Sequence, residues 1–455
     1  MPQKSKPVRR LPKDKKTTPA SQSRSKAQDQ LQQQRQRQSE STKDIEDEDR
    51  IDVSATIPIT LQQLLLNVFK SALLAKDSSG NQDSENPGAD EETLDIKSLI
   101  QKIKSHLYNR DFDSAFADAD EELLRAYALR WSAARALGYA GLLKSMLSIL
   151  VKEGRESSVS GLEGSDPSAS RKNHVVSIGG GAGAEIVALA AAWRDLVDEG
   201  AIPGSQTDIS SSFDALSLVR KNGDEEVEDT SETPSQTQSS LSPSSSLSIT
   251  AVDIGDWSTV VQRLTSTIQS PKVQSTNSYP APLLNTKLQE RESSRTSTIT
   301  DFKVNFERLD VLSLSDQSLK SLFHPSTTLV TLMFTLNELF STSLPKTTSF
   351  LLRTTDLLES GTILLVVDSP GSYSTLKLKK GGDGNGEGTT QERQYPMKFL
   401  LDHTLLSVAK GKWEKVYSRD SKWWRRDAVR LWYDVGEGAG LEDMRFQIHV
   451  YRRLK

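Results

Sequence analysis

Hydrophobic residues follow two different patterns along this chain, and the change comes near residue 174. Before it, apolar positions recur at helical spacing. Ile57 to Lys76 reads as one helix, and Ile96, Leu99, Ile100, Ile103 and Leu107 mark a second. Further helices run from about Ser114 to Val151 through Leu123, Leu124, Tyr127, Trp131, Leu137 and Leu142–Leu150. After residue 174, short apolar runs alternate with helical segments, which is the signature of a mainly parallel sheet. The pattern predicts strands at Val175–Ile178, Leu247–Val252, Lys303–Arg308, Leu329–Phe334, Thr362–Val367, Glu414–Tyr417 and Arg445–Tyr451. It predicts helices at Ala184–Asp198, Trp257–Thr267, Thr347–Glu359 and Lys398–Ala409.

Polar stretches divide these elements. Residues 1–50 are rich in Gln, Lys, Arg and Ser and are expected to be disordered, and residues 153–172 form a Gly/Ser-rich linker. Insertions at 204–246, 270–298 and 380–393 are likewise expected to be disordered, the last opening with Gly381 to Gly386. The organisation predicted is a helical N-terminal unit over 51–152 and one Rossmann-like α/β domain over 173–455, with no internal repeat.

Composition sharpens this picture in three ways. Hydrophobic residues make up only 35% of the 455 positions, and the shortfall lies in the polar segments. There is no cysteine, so disulfides, thiolate zinc sites and cysteine nucleophiles are excluded, and a reducing intracellular compartment is expected. His106, His174, His324, His403 and His449 lack ligand spacing, so no metal site is expected. No apolar run of membrane-spanning length and no signal-peptide core stand out. The net charge of −4 hides segregation. Met1 to Gln38 is strongly basic, whereas Asp44–Asp49 and Asp224–Glu232 are acidic clusters. A basic tail of this kind suits nuclear import or RNA contact.

The candidate chemistry centres on Gly179-Gly180-Gly181-Ala182-Gly183, between a predicted strand and a predicted helix. Glycine turns in this position let a nucleotide-like ligand lie against bare backbone N–H groups. Gly179-x-Gly181-x-Gly183 fits an S-adenosylmethionine (SAM) site, while Gly179-x-Gly181-x-x-Ala184 also satisfies the dinucleotide fingerprint. Ser177 stands where SAM sites commonly carry an acid, and Glu185 occupies the first helical turn. Asp253 closes the second strand, where a carboxylate can accept bonds from two ribose hydroxyls; the 204–246 insertion accounts for its distance from the glycines. Asp310 is placed to receive an adenine amine, with Val311 and Leu312 packing on the ring. Asn337 and Glu338 follow the fourth strand, where a crevice opens in such sheets, and Asp368 follows the fifth. Interleaved cations and rings from Lys412 to Tyr433, among them Trp423, Trp424, Arg425 and Arg430, suit RNA, because rings stack on splayed bases.

These residues resemble those of the fungal SAM-dependent methyltransferase family that includes a 25S rRNA (uridine-N3)-methyltransferase. The likeness rests on Arg130-Trp131-Ser132-Ala133-Ala134-Arg135-Ala136-Leu137, Ser177–Glu185, Leu332–Leu339, Asp368–Tyr373, Ser421–Arg425, and Met444-Arg445-Phe446 leading into Tyr451-Arg452-Arg453. It implies a class I (Rossmann-like) methyltransferase with a seven-stranded sheet whose last strand runs antiparallel. It implies Gly179, Gly181 and Gly183 beneath the methionine and ribose of SAM, Asp253 on the ribose hydroxyls, and Asp310 at the adenine. The expected partner is large-subunit rRNA or a pre-ribosomal particle, with no membrane and no metal, and the expected location is nucleus, nucleolus and cytoplasm. N3 of uridine must lose its proton to attack, and Glu338 and Asp368 are the candidate bases. Two other classes stay open at this point: a nicotinamide-dependent oxidoreductase, which requires a parallel sixth strand, and a non-catalytic ribosome-assembly factor. Arg130–Arg135 belongs either to an RNA-binding unit or to a helix closing over the cofactor.

Overall fold

Successive side chains of a strand point to opposite faces, and in the central strands the two sets enter two separate cores. The computed structural model describes residues 51–74, 94–109, 111–159, 172–200, 246–285, 301–371, 373–379 and 390–455. The basic stretch 1–50, linker residues 160–171 and insertion residues 204–245, 286–298 and 380–389 lie outside the described residues.

Helices α1 (Ile59–Leu74), α2 (Ile96–Tyr108), α3 (Glu121–Tyr127) and α4 (Ala133–Val159) come first, and a π-helical turn at Ala128–Ser132 joins α3 to α4. The alternating part runs β1 (Lys172–Ile178), α5 (Ala184–Asp198), β2 (Ser246–Asp253), α6 (Ser258–Ile268) and β3 (Asp301–Arg308). It continues with α7 (Asp316–Leu322), β4 (Thr327–Met333), α8 (Leu336–Thr342), α9 (Leu344–Leu357) and β5 (Ile363–Asp368). A hairpin, β6 (Tyr373–Lys379) and β7 (Thr390–Pro396), precedes α10 (Met397–Asp402), β8 (Trp413–Trp424) and β9 (Met444–Arg453).

Seven strands form one sheet in the order β3-β2-β1-β4-β5-β9-β8. Strands β1 to β5 are mutually parallel, and β9 runs antiparallel to both β5 and β8. That antiparallel strand is what the class I methyltransferase reading requires and the nicotinamide reading does not. Val175, Ile249, Leu329 and Leu365 enter one core, while Val176, Val252, Val330 and Val366 enter the other. Burial on both faces explains the near-continuous apolar runs of these strands. Strand β1 lies between β2 and β4, so the winding direction reverses there and a crevice opens at the strand ends.

The helical N-terminal segment is not a separate unit, contrary to the division at residue 152. Ile51–Lys455 forms one compact unit. Leu61, Leu64, Leu65 and Phe69 of α1 share a core with Trp193 of α5 and Val260 of α6. The physical reason is that α1 and α4 are apolar on too much of their circumference to be covered by one another, and the helices over the sheet supply the missing surface. The helical stretch Glu121–Lys152 is long and apolar enough to cross a membrane, but 61% of its apolar window is buried inside the protein, which makes it a core helix.

Three boundaries also move. Helix α4 continues to Val159, into the expected linker. Residues 270–285 are packed rather than disordered, with Val273, Leu283 and Leu284 buried. Residues 390–393 belong to β7 and pair with β6, Leu376 opposite Arg393; the polar Thr390–Gln394 run hides a strand whose ladder bonds are backbone bonds.

The β8–β9 pair matters for the site. Asp368, the last residue of β5, pairs with Gln447, and β9 continues past it with Phe446, Arg445 and Met444 opposite Lys422, Trp423 and Trp424. This part of the hairpin therefore overhangs the carboxyl ends of the parallel strands.

Candidate active site

Two glycines shape the turn after β1. Gly179 has φ +78° and donates its N–H to Val252 O at 2.8 Å. A Cβ on Gly179 would collide with the Thr335 side chain, and one on Gly181 with the Trp257 ring and Asp253. The backbone approaches its neighbours more closely than any side chain allows. Gly181 N–H donates to Asp253 Oδ2 at 3.1 Å, and Gly255 N–H to Asp253 Oδ1 at 3.3 Å. The carboxylate at the end of β2 is thus tied directly to the turn after β1, on a cradle open to an adenosine-bearing ligand.

A cavity of about 230 Å³ lies over this turn at the carboxyl ends of β1 to β4. Its floor comprises Ile178, Gly179, Ala182, Glu185, Val252 and Asp253. Leu309, Asp310, Val311 and Leu312 form one wall, and Phe334, Thr335, Glu338 and Leu339 the opposite one. The roof is made of side chains from the N-terminal helices: Phe116, Tyr127, Arg135 and Tyr139. Roof aromatics pack on the floor, with Tyr127 to Trp257 ring centres 5.7 Å apart and Tyr139 stacked on Phe334 at 6.4 Å. Phe334 has φ +59°, a left-handed conformation that costs a bulky residue about 1 kcal/mol or more. That strain turns the chain sharply out of β4 and brings Thr335 and Glu338 to the cavity.

Charge in the cavity is dominated by carboxylates. Burial pushes Glu185 up to about 8, partly offset by its own backbone hydrogen bond and by Arg135. Burial likewise pushes Glu338 up to about 7, with Arg135 opposing the shift and Asp368 and Asp253 adding to it. Asp253 is raised by burial against the pull of the Gly255 and Gly181 amides. Burial works against the charge on Arg135, but Tyr127, Tyr139 and Glu338 hold it above its ordinary range.

The structure brings together Gly179, Glu185, Asp253, Asp310, Val311 and Glu338 around this one cavity. Asp310 also caps its own turn, accepting from Leu312 N–H at 2.9 Å and Ser313 Oγ at 2.6 Å. Gly180 and Gly183 shape the turn without lining the cavity; Gly180 packs over Ser177 and Gly183 over Leu264. Three expected residues point elsewhere. Ser177 is fully buried and accepts a hydrogen bond from Thr331 Oγ1 at 2.9 Å, because its side chain faces the neighbouring strand within the sheet. Asn337 contributes its backbone, its N–H reaching Asp368 Oδ2 at 3.0 Å, rather than a side chain in the cavity. Asp368 accepts that bond and one from Ser369 N–H at 2.7 Å. It therefore caps α8 and positions Glu338, and does not itself face the cavity.

Arg135, Tyr127 and Phe334 are site residues that no glycine or strand-end rule identifies. Of the Arg130–Arg135 segment, Ser132 and Arg135 line the cavity. Arg130 is a structural residue that pairs with Glu442 and donates to Gly440 O at 3.2 Å. The C-terminal aromatics divide: Trp413 is core, its Nε1 donating to Thr355 Oγ1 at 2.9 Å. Trp423 is 51% exposed, with the guanidinium of Arg425 5.0 Å and that of Arg445 5.8 Å from its ring centre. It sits on the overhang, at the same edge of the sheet as the cavity. No cluster of potential metal ligands occurs among the described residues.

A family model described as "Putative SAM-dependent methyltransferase" matches residues 76–452. The 25S rRNA (uridine(2843)-N(3))-methyltransferase of Saccharomyces cerevisiae is 30% identical over 395 residues, which cover 86% of this chain and 85% of that protein. Among solved structures, a SAM-dependent methyltransferase of Methanosarcina mazei aligns at 12% identity and TM-score 0.26, over 63% of this chain and 95% of its own. Another, from Clostridium acetobutylicum, aligns at 8% identity and TM-score 0.27, over 78% and 100% of the two chains.

Proposed function

Because this chain belongs to the SAM-dependent methyltransferase family, matched over residues 76–452, we propose that it methylates N3 of one uridine in large-subunit ribosomal RNA. The observation that carries the substrate is the 30% identity, over 86% of the chain, to a yeast enzyme named for that reaction. The geometry supports it independently, with a carboxylate in the cavity and a cationic aromatic overhang beside it.

SAM, when bound, supplies an electrophilic methyl group on a sulfonium that leaves as a neutral thioether. The glycine turn and Asp253 hold the adenosine portion, Asp253 by accepting from ribose hydroxyls, and Val311 gives the base an apolar surface. The uridine N3–H normally makes the Watson–Crick bond, so the base must enter the cavity unpaired or flipped. Glu338 would take the imide proton, leaving N3 the electron pair with which it accepts the methyl group. A carboxylate tuned to about 7 is ionised often enough, and basic enough, to do this near neutral pH. Asp368 serves by fixing α8, and rings such as Trp423 offer stacking surfaces to neighbouring bases. The basic stretch Met1–Gln38 supports action in the nucleus, where large subunits are assembled, and imaging of the tagged protein with and without those residues tests that location.

The decisive measurement is mass spectrometry of nucleosides from large-subunit rRNA of cells lacking this protein. Loss of 3-methyluridine, restored by the wild-type protein and not by a Gly181→Arg variant, is the expected result. Unchanged 3-methyluridine overturns the substrate.

A further inference from the structure

The roof of the cavity carries one cation, and most of its N–H donors meet no acceptor among the described residues. Arg135 is the only Lys or Arg among the described residues lining the cavity, against the carboxylates of Asp113, Glu185, Asp253, Asp310 and Glu338. Its single hydrogen bond runs from Nη1 to Tyr127 Oη at 2.9 Å, which uses one of five N–H donors. No carboxylate among the described residues lies within ion-pair distance of it. Withdrawing a guanidinium from water costs several kcal/mol unless its donors are met.

The guanidinium is also held in a fixed orientation. Its carbon lies 4.8 Å from the centre of the Phe334 ring and 5.9 Å from that of Tyr127. A guanidinium held over ring faces can keep its remaining N–H donors for a planar anion. Below it, helix α5 begins at Ala184 directly after the glycine turn, and a helix N-terminus favours an anion in the same region.

From this geometry we infer that Arg135 binds the carboxylate of the amino-acid end of the methyl donor. The inference rests on the SAM reading and adds a subsite to it. The donor carries one anion, the methionyl carboxylate, and two cations, the ammonium and the sulfonium. The cavity offers a partner for that anion: the Arg135 guanidinium in the roof, whose N–H donors other than the one on Tyr127 meet no acceptor among the described residues. Adenosine recognition belongs to Asp253, Asp310 and Val311, on the side of the floor away from Phe334. A phosphate of the RNA substrate is the other anion that such a site could take. The position of Arg135 against the glycine turn and α5, where the donor lies, favours the carboxylate.

The test compares ligands that differ only at that end. Wild-type protein is titrated calorimetrically with S-adenosylhomocysteine and with 5′-methylthioadenosine, which keeps the adenosine and sulfur but lacks the amino-acid group. Arg135→Met is expected to weaken S-adenosylhomocysteine about 30- to 100-fold, the usual worth of a charge-assisted bidentate contact. It should leave methylthioadenosine within about 3-fold, which also shows that the adenosine pocket is still folded. Arg135→Lys should recover part of the loss, since a point charge replaces the fork. A ligand-side version needs no variant: decarboxylated SAM should bind wild type about 30-fold more weakly than SAM does, and Arg135→Met should not distinguish the two. Equal losses for both thioether ligands, or none for either, overturn the inference. So does unchanged donor binding with weakened RNA binding, which would assign Arg135 to a phosphate. If wild type binds neither thioether ligand, the cofactor reading itself fails, a result distinct from all of these.

Discussion

The floor and the roof of the cavity are built on different principles. The floor rests on backbone: the glycine turn that carries Gly179 and Ala182, and the ends of β1 and β2, tied by the Gly181–Asp253 and Gly179–Val252 hydrogen bonds. The roof is side chain: Phe116, Tyr127, Arg135 and Tyr139, on helices that precede the sheet in the chain. A backbone floor recognises what all adenosyl ligands share and cannot be altered without steric collision. A side-chain roof can discriminate among ligands, and its residues can be exchanged one at a time. This contrast makes definite demands on variants.

The largest effect belongs to the floor. Gly181→Val places its side chain on Trp257 and Asp253 and should lower affinity for S-adenosylhomocysteine and methylthioadenosine alike, each by more than about 100-fold. A variant that lost one ligand and kept the other would break the distinction. Next comes Glu338 on the wall. Glu338→Gln should cut methylation about 100-fold while donor affinity stays within about 3-fold. In wild type, the rate should fall as pH drops below about 7, because the carboxylate that accepts the proton becomes protonated; the variant should lack that limb.

Glu185, 3% exposed, gives a thermodynamic signature. Its folded-state value of about 8 lies above the ordinary 4.5. Between those values the folded protein holds a proton that the unfolded chain has released, so stability falls as pH rises through that window. Glu185→Gln should therefore stabilise the ligand-free protein by about 4 kcal/mol at pH 8 and hardly at all at pH 4.5. Denaturant melts at the two pH values measure it. The smallest effect sits outside both floor and roof. Trp423→Ala should weaken RNA binding about 5- to 10-fold without changing donor affinity, and equal RNA binding would remove the overhang from the substrate surface.

The same contrast explains what the sequence could reveal. All seven strands of the main sheet were legible, the inner ones because burial on both faces writes them as apolar runs, and the largely exposed edge strands β3 and β8 from short stretches around Val304–Phe306 and Val416–Tyr417. That Gly179, Asp253 and Asp310 meet at one cavity was legible too, since a strand-end acid or a glycine turn is a local signal. Ser177 and Asp368 were misread for a reason sequence does not display. Both sit at strand ends where ligands bind, but Ser177 turns toward Thr331 and Asp368 toward the Asn337 amide. Arg135 was not separable from Arg130, because nothing in Arg130–Leu137 says which of two arginines reaches a cavity whose glycine turn comes over 40 residues later. The β6–β7 hairpin was missed because its polar strand Thr390–Pro396 owes its pairing to main-chain bonds.

The packing of α1 and α4 onto α5 and α6 has a consequence for how the chain is made. The roof leaves the ribosome first. Leu61, Leu64, Leu65 and Phe69, each no more than 1% exposed in the folded protein, have no α6 to cover them until Ile268 has emerged. At ordinary synthesis rates that wait is about 10–40 s. During it, the nascent chain exposes an apolar surface that favours aggregation or chaperone capture, and the 201–245 insertion lengthens the delay. Helix α1, which in the folded protein is covered by α5 and α6, is therefore the part of the newborn chain most in need of protection.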